Sequence, residues 1–211
     1  MAVWLILRQA PEMPLSVHPL TPDRLADLDT VFHARGCSVA KSCYCMYYRL
    51  SGKGMDLKTG ETRTSGGRAA MAKLTEGEIP PGLLGYKVGK AVGWVSLGPR
   101  THFVRLANSP TMRSIDDKPV WSIICFVVPS EYRKQGVAHE LLAAAVEFAR
   151  ARDATLLEAY PVDRDAPEAP NASWFGSRSM FVKAGFSEVA RHKPTRPIVR
   201  LKLACSRKAG A

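Results

Sequence analysis

The stretch that decides the fold is VWSIICFVVPSEYRKQGVAHELLAAAVEFARARDATLLEAY, residues 120–160. It opens with a nearly continuous apolar, β-branched run from Val120 to Val128, which predicts a buried central strand. From Gln135 to Arg152 apolar residues recur at intervals of three and four, which predicts a helix with one face on a sheet. Thr155 to Tyr160 is a second apolar strand. This order predicts a βαβ unit whose two strands are parallel.

Elements on either side of this unit are predicted from shorter patterns. Gly89-Lys90 is the short connection of a β-hairpin, and Thr21-Pro22-Asp23 is a helix-start signal. The predicted strands are Leu15 to Leu20, Cys43 to Arg49, Leu83 to Val88, Ala91 to Leu97, Phe186 to Val189 and Ile198 to Leu203. The predicted helices are Pro22 to Phe32, Gly60 to Leu74 and Ser173 to Lys183.

The loop Arg133-Lys134-Gln135-Gly136-Val137-Ala138, between the central strand and its helix, has the composition of an anion site. Gly and Ala allow a ligand to approach the backbone closely. The first N–H groups of a helix lack partners within it, and the positive end of its dipole favours negative charge. Arg133 and Lys134 add positive charge at the mouth. On this feature alone, a purely structural strand-to-helix turn is an equal alternative.

The segment Val128 to Ala138 resembles the signature of the GNAT superfamily of N-acetyltransferases, R/Q-x-x-G-x-G/A, with Arg133, Gly136 and Ala138 at its defined positions. Further similarities follow in the family's order: Leu141-Leu142 in the helix, the strand Leu156-Leu157-Glu158-Ala159, and Lys183-Ala184-Gly185-Phe186, which is similar to the family's K-x-G-F. The resemblance is specific over residues 120–189, the motif core, and is compatible with the residues upstream.

This resemblance implies an α/β fold of the GNAT type, with a mixed, mostly antiparallel sheet, a central parallel strand pair and flanking helices, in a single domain over residues 1–211. Acetyl-CoA is the implied acyl donor, its pyrophosphate on the loop and its pantetheine paired as an extra strand with the first of the two parallel strands. An amide near Val127 or Val128 would steady the oxyanion. The implied cofactor-binding residues are Phe126, Val127, Val128, Arg133, Lys134, Gln135, Gly136, Val137 and Ala138.

Two departures from the family pattern leave the catalytic acid and base unassigned. Many relatives have an Asn and a Tyr where this chain has Trp174 and Phe181, and neither of these can act as pantetheine ligand or thiolate protonator. No carboxylate lies on the central strand. The remaining candidate bases are Asp116, Asp117, Glu158 or a water chain, and a solvated or paired carboxylate is the favoured interpretation of each acid.

An aromatic segment upstream is open to two interpretations. Tyr44, Tyr47, Tyr48 and Arg49 could line the acceptor pocket, because early segments wall the acceptor side in this family, or they could form a packed aromatic strand. The two interpretations have equal weight. A separate set of residues, His102, His139 and His192, is expected at the surface.

The charge and hydropathy of the sequence limit the classes of partner that the protein is expected to bind. The formal net charge is +11, and seven Lys and Arg lie in the basic C-terminal strand and tail, residues 191–211, which contain no Asp or Glu. This suits the phosphates of coenzyme A. Nucleic acid is not expected, because the tail lacks the interleaved aromatics of a stacking platform. With no apolar run near the ~20 residues that span a bilayer and no basic leader, we expect a cytoplasmic monomer or homodimer without a membrane partner.

Five cysteines at irregular spacing are expected to be reduced thiols, and Cys37, Cys43 and Cys45 lack the second ligand pair of a zinc site, so no metal is expected. The sequence therefore predicts an acyl-CoA-dependent N-acyltransferase. A primary amine of a small-molecule or protein acceptor would attack the thioester directly in a ternary complex. The alternative is a GNAT-fold module that binds acyl-CoA without turnover, motivated by Trp174 and Phe181.

Overall fold

The structure is a computed structural model that describes residues 14–51, 60–163, 165 and 174–204. The α-helices are α1 (Leu25–His33), α2 (Ser38–Cys43), α3 (Arg63–Thr75), α4 (Val137–Arg150) and α5 (Arg178–Lys183). The strands are β1 (Ser16–Pro19), β2 (Gly82–Lys87), β3 (Lys90–Pro99), β4 (Trp121–Val127), β5 (Leu156–Ala159), β6 (Ser187–Lys193) and β7 (Arg196–Lys202). Short 3-10 turns occur at Pro22–Arg24, Arg100–His102, Val104–Leu106 and Ser130–Tyr132.

These strands form one seven-stranded sheet in the order β1-β2-β3-β4-β5-β7-β6. Every neighbouring pair is antiparallel except β4 and β5, which are parallel and joined through α4. The predicted α/β fold with a mixed, mostly antiparallel sheet and a central parallel pair is confirmed. The hairpin β2–β3 and the βαβ unit are also where the sequence predicts them.

Helix α4 rests on a flat area of the sheet formed by two glycines. Gly85 and Gly93 are directly opposite one another on β2 and β3. A Cβ atom on Gly93 would lie 2.8 Å from Val137 Cγ1 and 2.9 Å from Leu141 Cδ1. The absence of side chains therefore lets the first turns of α4 approach the backbone, and this fixes the height of the helix N-terminus above the sheet.

Hydrophobic residues fill both faces of the sheet. On one face α4 and α5 pack over the strands through a cluster that includes Leu141, Ala145 and Phe181. On the other face α1, α2 and α3 pack over Trp94, which is fully buried, together with Phe32. The helices on the second face bring the segment after α2 close to the end of β4.

The prediction of an extended segment from Cys43 to Arg49 is wrong. Helix α2 runs into this segment, and Tyr44 and Cys45 then adopt left-handed conformations with φ of 45° and 52°. Tyr44 is fully buried against Phe32, and its hydroxyl donates to Asp29 Oδ1 at 2.8 Å. Tertiary burial of this one ring thus overrides the β-propensity of the aromatic run.

Smaller differences concern element ends. Helix α3 begins at Arg63, because Thr62 and Ser65 form a capping box there. Helix α5 begins only at Arg178, after the N-cap Ser177, whereas the sequence predicts a start at Ser173, which lies outside the described residues. The last strand pair is longer than predicted, since β6 extends to Lys193.

Candidate active site

The two parallel strands separate soon after they pair, and a cavity opens where they do. Strand β4 pairs with β5 at three positions, ending at Ile123 opposite Ala159. After β5 the chain turns away, and Val162 bridges to Ser177 instead. The cavity has a volume of about 1160 Å³. It is lined by residues 124–128, which include the unpaired end of β4, meaning the end that pairs with β3 but no longer with β5, and the start of the connection that follows.

One end of this cavity is formed by the N-terminus of α4. Gly136 is the N-cap residue in a left-handed conformation with φ of 80°, and no side chain among the described residues caps the helix. The first intrahelical hydrogen bonds come from the N–H groups of His139 and Glu140 to the Gly136 carbonyl. The N–H groups of Gly136, Val137 and Ala138 are therefore left without intrahelical acceptors, and all three residues line the cavity. Such unsatisfied donors at a positive helix end attract an anion.

The basic residues of the loop have different environments. Lys134, with φ of 62°, lines the cavity next to these donors. Arg133 also lines it, but its guanidinium is held by the backbone, donating to the Val128 carbonyl at 3.0 Å and to the Gly36 carbonyl at 2.7 Å. Arg133 thus ties the segment before α2 to the end of β4. Gln135 is not among the lining residues, and its amide donates to the Glu131 carbonyl at 2.6 Å.

Of the nine residues assigned to the cofactor from sequence, the structure brings eight to one cavity wall: Phe126, Val127, Val128, Arg133, Lys134, Gly136, Val137 and Ala138. Two of the backbone groups expected to face pantetheine already have partners. The Phe126 N–H donates to the Trp174 carbonyl at 2.6 Å, and the Val128 carbonyl accepts from Arg133. A ligand strand along β4 would therefore replace the Trp174 contact.

The segment around α2 also lines the cavity. Tyr47 and Tyr48 line the cavity in an edge-to-face pair with ring centroids 4.9 Å apart. Tyr44 and Arg49 do not line it, because both are buried in the protein interior. Two residues of this segment, Tyr47 and Tyr48, therefore line the cavity. The other two, Tyr44 and Arg49, are packed in the interior instead.

The three candidate carboxylates all lie away from the cavity. Glu158 is 1% exposed and bonded to Arg100 at 2.6 Å, to Arg200 at 2.7 Å and to the Tyr160 hydroxyl at 2.5 Å. Both oxygens of Asp116 accept from Arg200, at 2.6 and 2.9 Å. Asp117 is exposed. In the described part of the chain no Asp or Glu lines the cavity, so the interpretation as paired or solvated carboxylates fits all three.

The positions that match the family's Asn and Tyr also differ in environment. Trp174 is 40% exposed and lines the cavity. Phe181 is fully buried and makes edge-to-face contacts with Phe126 and Phe186, at centroid distances of 6.1 and 5.1 Å. Phe181 is therefore a core residue, and replacing it by Tyr would not place a hydroxyl in the cavity.

The histidines and possible metal ligands add little to the site. His139 is exposed and lines the cavity beside the start of α4, His102 is exposed, and His192 is half-buried, so the expected surface position holds for the first two. Within the described ranges there is no group of three or more His, Cys, Asp or Glu that could hold a metal ion. No helix in those same ranges is long and apolar enough to cross a membrane.

Comparison with known proteins identifies the family. The sequence matches the Acetyltransferase (GNAT) family over residues 57–170. The chain belongs to this family. This confirms the resemblance carried by the loop and by the strands on either side of it. A search among curated proteins finds no match.

Solved structures of GNAT proteins share the fold at low identity. An N-acetyltransferase from Staphylococcus aureus is 12% identical, covers 91% of this chain and 100% of its own, and has a TM-score of 0.53. An acetyltransferase from Thermus thermophilus is 15% identical over 91% of this chain and 99% of its own, with a TM-score of 0.51. The PaiA N-acetyltransferase from Thermoplasma acidophilum, solved with coenzyme A, is 12% identical over 90% of this chain and 99% of its own, with a TM-score of 0.51. These likenesses show the fold alone.

Proposed function

We propose that this GNAT protein is an acyl-CoA-dependent N-acyltransferase that transfers an acetyl group from acetyl-CoA to a primary amine. The observation that carries the proposal is the N-terminus of α4, which no described side chain caps and which opens into a cavity that is also lined by the end of β4 and by Tyr47 and Tyr48. The PaiA structure with coenzyme A, which has the same fold, supports the choice of donor.

Acetyl-CoA would be bound through its pyrophosphate and along its pantetheine arm. Its pyrophosphate accepts hydrogen bonds from the N–H groups of Gly136, Val137 and Ala138, with Lys134 beside them. Its pantetheine follows the unpaired end of β4, and the Val128 amide donates to the thioester oxygen as negative charge develops there. Bringing donor and acceptor together in one cavity removes much of the entropic cost of a bimolecular reaction.

The acceptor amine would enter from the wall that carries Tyr47 and Tyr48. It attacks the thioester carbonyl directly in a ternary complex, so that the C–N bond forms as the C–S bond to coenzyme A breaks. A small molecule or an exposed amine of a protein would fit this route, because Tyr47 on this side of the cavity is 57% exposed.

An acceptor screen tests this proposal. Release of free coenzyme A thiol is followed at a fixed acetyl-CoA concentration with a panel of polyamines, amino acids, aminoglycosides and peptides with free N-termini. We expect amine-dependent release, and loss of release in Gly136→Asp, which places a carboxylate at the pyrophosphate position. Tight acetyl-CoA binding without release for any amine would instead favour the non-catalytic acyl-CoA-binding module. Absence of binding would overturn both.

A further inference from the structure

The charged side chains that line the cavity are all basic within the described part of the chain. Besides Arg133 and Lys134 of the loop before α4, they include Arg63 and Arg105. An alkylamine acceptor is itself a cation at neutral pH, and a lining of like charge repels it. An acceptor that also carries an anionic group escapes this repulsion. The charge of the lining therefore favours an amine with an acidic group of its own.

Arg105 is held in one orientation beside the exposed ring of Tyr47. Its Nε donates to the Leu50 carbonyl at 2.8 Å, and its guanidinium carbon lies 4.5 Å from the centroid of the Tyr47 ring. Its backbone N–H donates to the Tyr48 carbonyl at 3.2 Å. A guanidinium that is stacked on a ring and bonded at Nε has lost much of its rotamer freedom before a ligand arrives. Arg105 is thus preorganised at the cavity wall.

Buried neighbours place Arg105 near the beginning of the unpaired end of β4. Leu106, the next residue, is fully buried in a cluster with Ile124, and Tyr48 packs against the same cluster. Ile124 is the first residue of β4 beyond its pairing with β5. Arg105 therefore belongs to the region of the cavity where the two parallel strands begin to separate.

The proposed pyrophosphate site lies toward the other end of the same segment. Val137, at the start of α4, lies close over Gly93, which is next to the last β3–β4 pair at Val127. An extended chain spans about 10 Å from Ile124 to Val127. The start of α4 and Arg105 are thus separated along β4. A ligand group held by Arg105 would belong to the acceptor rather than to the pyrophosphate of the donor.

Arg63 adds positive charge to the cavity from a different element. It is the first residue of α3, whose first turn contains no acidic residue. A cation at the positive end of a helix dipole is unfavourable for the helix. The charge of Arg63 therefore does not stabilise α3, whereas it does raise the positive potential of the cavity that an anionic ligand would meet.

We propose that Arg105, assisted by the charge of Arg63, binds a carboxylate of the acceptor, so that the acceptor is an amine of the amino-acid class. This inference rests on the proposed acyltransferase function. The planar guanidinium matches a carboxylate in shape and charge, and the hydrogen bonds between the two are charge-assisted. With its carboxylate at Arg105, the acceptor is fixed at one end, and its amine can reach along the unpaired end of β4 to the thioester.

Equilibrium binding tests the carboxylate subsite without turnover. Ligand-observed NMR at pH 7, on protein saturated with coenzyme A, compares the common α-amino acids and a series of ω-amino acids with their carboxamides. We expect at least one acid to bind about tenfold or more tightly than its amide, as the loss of a hydrogen bond to a charged group predicts. Equal affinities within every pair, or binding of none, would overturn the subsite. If coenzyme A itself fails to bind, the proposed function fails, and the same titration without it still tests Arg105.

Substitution of Arg105 tests the residue itself. In Arg105→Gln we expect KM for the preferred acid to rise about tenfold to a hundredfold, while KM for acetyl-CoA and the rate with the matching amide stay as in wild type. Arg105→Lys, which keeps the charge but not the planar fork, should fall between the two. Arg113→Gln is the matched control, because Arg113 is exposed and is not among the residues that line the cavity.

The pattern of losses separates the alternatives. Equal losses with the acid and with its amide in Arg105→Gln would show a structural role, and a raised KM for acetyl-CoA alone would assign Arg105 to a phosphate of coenzyme A. Either result would overturn the subsite and leave the transferase function intact. If wild type transfers to no acceptor, the affinities of the acid and the amide for Arg105→Gln, measured by NMR, decide the role of Arg105 separately.

Discussion

Gly136 is the residue on which the pyrophosphate site depends. Its φ of 80° disfavours most side chains, yet among the described residues the atom nearest to a Cβ placed there is Glu140 Oε1, at 3.9 Å. The position is therefore sterically open, and its backbone conformation is what requires glycine. Asn and Asp tolerate the left-handed region best among other residues, so a matched pair of substitutions separates backbone strain from charge.

We expect Gly136→Asn and Gly136→Asp to melt at similar temperatures, because both carry the same backbone strain. Their affinities for acetyl-CoA should differ about tenfold to a hundredfold, with Asp the weaker, because its carboxylate repels the pyrophosphate at close range. Isothermal titration calorimetry on both variants measures this. Equal affinities would mean that the pyrophosphate lies elsewhere.

Phe181 occupies the position of the family's tyrosine but lies in the core of this chain. The ring is enclosed by Phe126 and Phe186, so a hydroxyl added by Phe181→Tyr would be buried without a partner. We expect a loss of about 1–3 kcal/mol in the free energy of unfolding and no gain in kcat. Urea unfolding and steady-state rates check both. A faster variant of unchanged stability would show that the ring reaches the cavity.

At the scale of elements, buried ion pairs lie at the end of the β4–β5 pair where the two strands are hydrogen-bonded to each other. Glu158 on β5 binds Arg100 after β3 and Arg200 on β7, and Tyr160 links it to Ser122 on β4. The strands separate immediately beyond this network. We infer that the buried ion pairs keep one end of the strand pair closed while the other end stays open for a ligand.

Glu158→Gln should therefore cost stability rather than catalysis. Glu158→Gln removes the carboxylate that Arg100 binds, while Arg200 keeps Asp116. Breaking a buried ion pair in this way leaves a buried charge uncompensated, and we expect a loss of about 3–5 kcal/mol in the free energy of unfolding. Glu188→Gln on β6 is the matched control, because its partner Arg191 is partly exposed and such pairs contribute about 0–1 kcal/mol. Chemical denaturation compares the two. A folded Glu158→Gln that lost transfer at full stability would restore Glu158 as a candidate base.

The elements predicted from sequence are those with a strong local signal. The apolar run of β4, the period of α4 and the glycine of the loop each follow from a few neighbouring residues. The segment after α2 could not be predicted this way, because the conformation of Tyr44 depends on Phe32 and Asp29 from another helix.

For the molecule as a whole, we propose that the chain is one domain, since residues from β1 to β7 belong to a single sheet. Its stability should fall in acid. Hydrogen bonds from Arg200 hold the pKa of Asp116 below its usual range. Because that pKa is lower in the folded than in the unfolded state, the stabilisation is complete above the unfolded pKa and is lost as pH falls through the folded one.

Thermal melts of wild type and Asp116→Asn test this dependence. We expect the wild type to melt higher at pH 7 and the difference to shrink between roughly pH 5 and pH 3, as Asp116 becomes protonated. Charge repulsion from the strongly basic chain also grows in acid, but it affects both proteins alike. A difference that stayed constant across this range would mean that Asp116 does not stabilise the protein through its charge.

The central claim is that acetyl-CoA lies in the cavity with its pyrophosphate on the start of α4. Hydrogen exchange resolved to single amides, with and without saturating acetyl-CoA, tests it most directly. The N–H groups of Gly136, Val137 and Ala138 have no intrahelical acceptor in the free protein and should exchange quickly. Bound acetyl-CoA should slow them strongly, together with Val128. Saturating binding that left these four amides unchanged and protected a different surface would contradict the account.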